Sequence, residues 1–255
     1  MANQVRVGTD DALLIGWPAP LPDGERVVLW HDESGAELPV EPAGDRLTCT
    51  TGVGDLAPGR WELRLEAGSL TRPLLTDDPG GSLGGMRGYA ARARDRSVTV
   101  TRSPGGHAAL AVRDVVPHAE VEAVHPRDGE ILITGLLAYT GPQYGGARLV
   151  AAGRRSAGTV TRAARVDGVE FRARLPIGAL AARPPALWDL FLDVTAVHAR
   201  LATRLDDAPG KRGKLSFPIQ VTAAPGGGDR TVRPYYTAAD ELSVACHEAA
   251  ADGPA

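Results

Sequence analysis

One sequence pattern occurs twice along the chain. Each occurrence opens with an acid, an apolar run and a glycine, at 11–16 and again at 128–135, and each later carries a tryptophan in an alternating stretch, at 61–66 and 188–193. The offsets between these landmarks are 117 and 127 residues. A repeat of this length is the size of a domain and far exceeds that of a solenoid unit. We therefore expect two copies of one small domain.

The closing segments of the two copies align as well. An arginine, a tyrosine, an aspartate and a Ser-Val pair follow one another at 87–98 and in the same order at 233–244. The alignment predicts one domain at 4–113, a second domain at 118–247 and a disordered tail at 248–255.

Apolar residues alternate with polar ones through most of the chain. Trp61, Leu63 and Leu65 share one face of an extended segment, and Trp188 repeats that register. Period two is typical of half-buried strands, and frequent Gly and Pro turns leave no long helical window. The predicted fold class is all-β, with two tandem β-sandwiches that arose by internal duplication. Strands are predicted at 4–8, 12–17, 26–31, 45–50, 69–76, 88–93, 96–101, 107–113, 119–124, 130–138, 147–152, 159–166, 169–175, 187–194, 199–205, 215–222, 231–236 and 241–247, with a helical turn at 53–56 and at 177–180.

The segment at 237–251 allows two interpretations. It is rich in alanine and begins with a threonine that could cap a helix. The repeat favours a strand instead, because the aligned segment at 95–101 alternates and has β-branched residues. We predict a final strand at 241–247, and a helix there would weaken the alignment.

Composition bears on partners and source. The chain has 28 basic and 31 acidic residues, so it lacks the basic excess that nucleic-acid binding usually needs. No nucleic-acid partner is expected. Lysine occurs only at Lys211 and Lys214, and arginine supplies the rest of the basic residues. With abundant Ala, Gly and Pro, this bias is typical of a GC-rich bacterial genome such as that of an actinomycete.

The sequence favours a soluble, cytoplasmic protein. No stretch approaches the roughly 20 apolar residues of a membrane span, and the first residues lack the features of a signal peptide. Cys49 and Cys246 alternate in phase with core residues and belong to different copies. We expect both to be buried free thiols.

No constellation of catalytic residues stands out. The chain lacks a dinucleotide or P-loop fingerprint, a Gly-x-Ser-x-Gly elbow and a zinc motif. Asp189 and Asp193 lie on one face of a strand about 13 Å apart, too far for either glycosidase mechanism. We predict no catalytic residue, no metal ligand and no cofactor. Whether the protein is an enzyme stays open, and a non-catalytic role is favoured.

Two loops of the second copy carry the candidate ligand-binding residues, because features shared by both copies are best explained by the fold. The loop at 139–146 offers aromatic rings and an amide, which suit a sugar or a peptide; its alternative explanation is a glycine-rich loop with a packing tyrosine. The loop at 206–214 offers three cations, and its alternative explanation is a solvated hairpin tip. The candidates are Tyr139, Gln143, Tyr144, Lys211, Arg212 and Lys214.

The C-terminal copy resembles a known group of domains. A Trp-Asp strand at 187–193, an Arg-Leu strand at 198–205 and a closing segment at 233–244 follow one another in the order seen in β-sandwich accessory domains of actinobacterial glycosyltransferases and teichoic-acid-type glycerophosphotransferases. The resemblance covers mainly 187–247. It implies an immunoglobulin-like fold, a role in glycan or cell-wall polymer assembly, and a glycan or a glycosyltransferase as partner. It carries over no catalytic residue.

Two hypotheses follow. In the first, the chain is a non-catalytic accessory or binding protein, linked to the biosynthesis of a glycan, a cell-wall polymer or a glycosylated metabolite. In the second, it is a small transferase or hydrolase whose site lies at the junction of the two copies, near 113–128 or 141–146.

Overall fold

A computed structural model describes residues 1–78, 83–155, 157–195, 197–205 and 210–249. The chain forms two compact units: residues 1–89 with 94–116, and residues 90–93 with 117–255. Strands dominate both units, so the all-β prediction is confirmed. The first unit contains β1 (Gln4–Val7), β2 (Ala12–Gly16), β3 (Glu25–His31), β4 (Glu37–Val40), β5 (Thr48–Gly52), β6 (Gly59–Ala67), β7 (Leu70–Pro73), α1 (Leu83–Ala90), β8 (Arg96–Arg102) and β9 (Ala108–Asp114).

The second unit follows directly along the chain. Its elements are β10 (His118–Arg127), β11 (Glu130–Ala138), β12 (Ala147–Gly153), β13 (Thr159–Asp167), β14 (Glu170–Pro176), α2 (Ile177–Ala181), β15 (Ala186–Val194), β16 (Val197–Ala202), β17 (Gln220–Ala223), β18 (Asp229–Tyr236) and β19 (Leu242–Glu248). The predicted helical turn at 177–180 is therefore confirmed, whereas 53–56 forms a turn and no helix.

The first unit consists of two sheets. One has the order β1-β2-β5, and the other has the order β4-β3-β6-β9-β8 with β7 also paired to β6. Leu13 and Ile15 of the first sheet share a core cluster with Leu29, Leu63 and Leu110 of the second, and all five are fully buried. Two sheets that bury their alternating apolar faces against each other form a β-sandwich.

The second unit closes into a barrel. Seven strands pair in the order β12-β13-β14-β11-β10-β16-β15, and β15 returns to β12. The sequence predicted a sandwich here, but two bridging pairs, β13 with β14 and β10 with β16, join what would otherwise be separate sheets. Strands β19, β18 and β17 extend the sheet beyond β15. Trp188 and Leu149 are fully buried in the core of this unit.

The two units share an order of strand pairing. The order β1-β2-β5 corresponds to β10-β11-β14, and β4-β3-β6-β9-β8 corresponds to β13-β12-β15-β19-β18. Asp11 and Asp128 also occupy equivalent turns before the second strand, each with a positive φ, of 59° and 53°. Aspartate tolerates this left-handed conformation better than most residues.

The closing segments differ from the sequence alignment. The strand predicted at 88–93 is wrong, because Leu83–Ala90 forms helix α1. The pairing order places β8 opposite β18 and β9 opposite β19, so the alignment of 96–101 with 241–247 is displaced by one strand.

Other strand predictions have mixed outcomes. The final strand is confirmed as β19, and the helical alternative is wrong. The strand predicted at 215–222 forms only at Gln220–Ala223, and β4 was not predicted. Of the expected disordered tail, residues 250–255 lie outside the described part, while the Ala249 amide donates to the Asp229 carbonyl at 2.9 Å.

Candidate binding face

Tyr139 lies at the end of β11 and packs inside the second unit. Its φ is 64°, and its amide donates to the Ala90 carbonyl at 2.6 Å. Its ring centroid lies 5.9 Å from that of His118, and it contacts a small cluster that includes Leu136. The ring therefore serves packing in this structure.

Gln143 stabilises its own loop. Its side-chain amide donates to the carbonyls of Thr140 at 3.2 Å and Gly141 at 3.4 Å. Its backbone amide donates to the Gly168 carbonyl at 2.8 Å. These bonds hold the position of the next residue, Tyr144.

Tyr144 presents its side chain to solvent, with 75% of the residue exposed. Its carbonyl accepts a hydrogen bond from Thr195 Oγ1 at 3.3 Å. Thr195 directly follows β15, so the exposed tyrosine is anchored beside the β15–β16 hairpin. A large exposed aromatic residue on an anchored loop is a common feature of binding sites.

The outer face of β12, β15 and β16 carries aromatic and charged side chains next to that loop. Arg148 pairs in register with Asp193, and Asp193 with His198. Phe191 lies two residues before Asp193 on the same face of β15. Its ring stacks on that of His198, with centroids 4.5 Å apart and an interplanar angle of 17°. His198 Nδ1 lies 2.5 Å from Asp193 Oδ1. Tyr144, Arg148, Phe191, Asp193 and His198 are called the ring face below.

Arg200 stabilises the point where the sheet forks, on the same outer face as the ring face. Strand β15 pairs with β16 along 191–194 and with β19 along 186–189. At the change of partner, one guanidinium nitrogen of Arg200 donates to the carbonyls of Leu190 at 2.7 Å and Leu242 at 3.0 Å. The guanidinium thus supplies hydrogen bonds that neither neighbouring strand provides.

Asp189 accepts hydrogen bonds from three side chains. Arg154 donates to it at 2.7 and 3.0 Å, Arg200 at 2.9 Å and the Ser243 hydroxyl at 3.0 Å. These donors, Arg154 first, hold the pKa of Asp189 below its ordinary value. Burial lowers the pKa of Arg200, and the bond to Asp189 raises that of Arg154. The cluster is ionised at neutral pH, which suits a structural role.

The cationic loop folds around Asp240. The amides of Gly210 and Lys211 donate to its two carboxylate oxygens at 2.8 and 2.7 Å, which lowers the pKa of Asp240. Lys211 is buried, with 5% of the residue exposed, whereas Arg212 and Lys214 are exposed. Residues 206–209 of the predicted loop lie outside the described residues. No contact brings the three cations onto the ring face within the part of the chain described.

Two further findings concern the described residues. No group of three His, Cys, Asp or Glu side chains among them is arranged to hold a metal ion. Neither of their two helices has the length and apolarity to cross a membrane. Both cysteines are free and buried, as predicted, and burial raises the pKa of the Cys49 thiol to about 11.

Comparison with known proteins gives only distant matches, and these are to solved structures. The sequence matches no protein-family model and no curated protein. The crystal structure of S. aureus TarS 217–571 aligns at 14% identity over 64% of this chain and 50% of that fragment, with a TM-score of 0.43. A two-domain fibronectin type III segment of chicken tenascin aligns at 12% identity over 78% of this chain and 94% of its own, with a TM-score of 0.25. This chain therefore spans half of the TarS fragment.

Arg154 was not singled out by the sequence. Asp189, Arg200 and Ser243 lie in the three segments that carry the resemblance, but the sequence did not predict that Arg154, Arg200 and Ser243 gather around Asp189. The available signal was the outward register of Asp189, Phe191 and Asp193, since polar and aromatic residues recur at every second position there. The separation of Asp189 and Asp193 argues against a glycosidase pair, but it does not bear on whether they belong to a binding surface.

Proposed function

We propose that this chain is a non-catalytic binding protein that recognises a glycan, in the assembly of a cell-wall polymer or a related glycan, alone or beside a glycosyltransferase. We further propose that it consists of two duplicated domains, at 4–113 and 118–247. The ring face is the observation that carries the binding proposal.

The duplication proposal is supported by pairing order as well as by sequence. Eight strands of each unit occupy equivalent places in the hydrogen-bonded order. Unrelated β-sandwiches can have similar strand orders. A sequence repeat that coincides with a repeated pairing order, however, favours descent from one ancestral domain. The extra pairs that close the barrel would then be a later addition to the second copy.

The chemistry of the ring face fits a sugar. The exposed rings of Tyr144 and His198 offer surfaces for the C–H faces of a pyranose, and Phe191 supports the His198 ring by stacking on it. Asp193 and Arg148, in register beside them, can accept from and donate to hydroxyl groups. Because these groups lie on strands and on an anchored loop, the surface is formed before a ligand arrives, which lowers the entropic cost of binding.

The ionised groups near the ring face argue for binding rather than proton transfer. Asp189 already accepts from Arg154, Arg200 and Ser243, and its pKa is lowered. A general acid at neutral pH needs a raised pKa. Asp193 is engaged by His198. These contacts position side chains and leave the carboxylate of Asp189 without a free proton to deliver.

The test is a glycan-binding assay with matched variants. The full chain is titrated on an array of neutral, N-acetylated and acidic oligosaccharides, and the best ligand is measured by calorimetry. Tyr144→Ala should weaken binding about tenfold or more, as truncation of an aromatic anchor does, with little change in melting temperature. Leu70→Ala is the control, because Leu70 is equally exposed, at 74%, and lies in the first unit.

Three outcomes would contradict the proposal. The first is that no glycan binds, and the second is that Leu70→Ala weakens binding as much as Tyr144→Ala. The third is that a uridine diphosphate sugar raises the melting temperature while the glycans do not, because that result would favour the small transferase.

A further inference from the structure

A cleft lies between the first part of β13 and helix α2, and none of its lining residues belongs to the ring face. It has a volume of about 460 Å³ and is lined by 159–162 on one side and by Ala179, Ala182 and Arg183 on the other. This volume lies within the range of small-molecule sites, roughly 300–1,000 Å³. We call it the arginine cleft.

The cleft exists because two strands of the barrel separate. Strand β13 pairs with β12 from Thr159 to Ala164, but it pairs with β14 only from Ala164 to Asp167. The chain then leaves β14 at Pro176 and forms α2, whose Ile177 faces the core. The exposed side of α2 carries short side chains, which leave the space open.

Arg162 occupies an unusual place in the barrel. It lies in register with Leu149, which is fully buried in the barrel core. Because side chains alternate along a strand, Arg162 stands at an inward-facing position between Val160 and Ala164. It is nevertheless exposed, since the separation of β13 and β14 opens the barrel wall there. An apolar residue would be expected at a closed position of this kind.

The residues that line the cleft include two arginines and no acid. Two other arginines of 147–176, Arg154 and Arg174, already pair with Asp189 and Glu130. The guanidinium of Arg162 donates to the Thr161 carbonyl at 2.8 Å. Neither Arg162 nor Arg183 forms an ion pair with any carboxylate among the residues that the structure describes. Two guanidinium groups on one cleft without a counter-charge favour an anionic occupant.

We propose that the arginine cleft binds the phosphate group of a small phosphomonoester. Guanidinium groups match phosphate oxygens through paired N–H donors. Two arginines balance the charge of about −1.5 to −2 on a phosphomonoester better than the single charge of a carboxylate. The site is independent of the ring face.

The test follows amide resonances of the full ¹⁵N-labelled chain during titration with glycerol 3-phosphate, with glycerol and glucuronate as comparison probes. Glycerol 3-phosphate should shift the amides of 159–162 and 183, and glycerol should not. Arg162→Gln and Arg183→Gln should each weaken binding about tenfold, the value of one hydrogen bond to a charged group. Arg172→Gln is the control, because Arg172 is an exposed arginine of β14 that does not line the cleft.

Several results would overturn the proposal. Equal weakening by Arg172→Gln would show general attraction by the basic surface, and equal affinity for glucuronate would show a carboxylate site. Shifts confined to other amides would place the anion elsewhere. The same variants distinguish phosphate binding at the cleft from glycan binding at the ring face. Arg162→Gln should leave glycan affinity unchanged, and Tyr144→Ala should leave phosphate affinity unchanged.

Discussion

Replacement of Arg200 by methionine should destabilise the second unit by about 3 kcal/mol. The change removes donors from the carbonyls of Leu190 and Leu242 and from Ser243, which is fully buried. An unsatisfied buried polar group costs about 1–3 kcal/mol, and breaking a buried ion pair costs about 3–5 kcal/mol. We expect the lower end of the range for a broken ion pair, because the methionine side chain keeps apolar contact beside Phe191.

Arg154→Met is the matched control for that experiment. Arg154 donates to the same carboxylate, Asp189, but its side chain is 42% exposed. Exposed pairs contribute about 0–1 kcal/mol, so this variant should stay within that range. Arg200→Lys should recover less than half of the loss, because one ammonium group cannot replace a planar fork that contacts four acceptors.

Hydrogen exchange measured by mass spectrometry gives the free energy of opening for each unit separately. In Arg200→Met, exchange in peptides that cover 186–202 and 230–248 should accelerate about 100-fold, since each 1.4 kcal/mol is a factor of ten. Peptides from 1–78 serve as the internal reference. Equal effects of Arg200→Met and Arg154→Met would refute the role of the strand fork, as would an Arg200→Met barrel as stable as the wild type.

Acid provides an independent readout of the same cluster. The lowered pKa of Asp189 means that its contribution to stability is present above its ordinary value of 3.8 and is lost as the pH falls below it. The largest cause of the lowered pKa is the bond from Arg154. Arg154→Met should therefore reduce this acid dependence, and the stability that it loses at neutral pH should match the acid dependence that disappears. An unchanged acid dependence in that variant would contradict the assignment.

Three further predictions concern a core tryptophan, a closely packed glycine and a partly buried tyrosine. Trp188→Ala should lower the free energy of unfolding by about 3–5 kcal/mol in urea titrations, as a core cavity does; a loss below 1 kcal/mol would mean that the site collapses. Gly135→Ala should prevent normal folding, because its Cβ would lie 1.9 Å from the Glu120 carbonyl oxygen; a native melting curve would exclude this clash. Burial raises the pKa of Tyr89 from 10.0 to about 12, so the first unit should lose stability between these pH values as the unfolded phenol ionises. Tyr89→Phe should lack that alkaline loss in urea titrations, and its persistence would assign the effect to another group.

Local pattern was enough to predict most of the strands. The tryptophan strands at 61–66 and 188–193 follow from alternation, which each strand carries in its own sequence. The helix at Leu83–Ala90 was missed because the repeat alignment imposed a strand on a segment whose pairing partners differ. Alignment at the end of a copy is weak evidence when the intervening loops have changed length.

Closure of the barrel and the charged cluster could not be read from the sequence. The bridging pairs of β13 with β14 and β10 with β16 depend on which edges meet in space. Ser243 and Asp189 are 54 residues apart in sequence yet form a hydrogen bond. His31, the last residue of β3, is 4% exposed and lies against the ring of Trp61, 30 residues later in the sequence. Such contacts depend on tertiary packing, which the alternation of apolar and polar residues within one strand does not specify.

The open strand β17 has a consequence for the chain at high concentration. Barrel closure gives seven strands of the second unit a partner on both sides, whereas β17 ends the sheet with a neighbour only at β18. Edge strands are usually protected by charge or proline, and β4 of the first unit carries Glu37 and Pro39. Strand β17 has neither, and Val221 is 60% exposed. Self-association through added strands should therefore begin at β17, which light scattering of concentrated Val221→Lys and wild-type samples would compare directly.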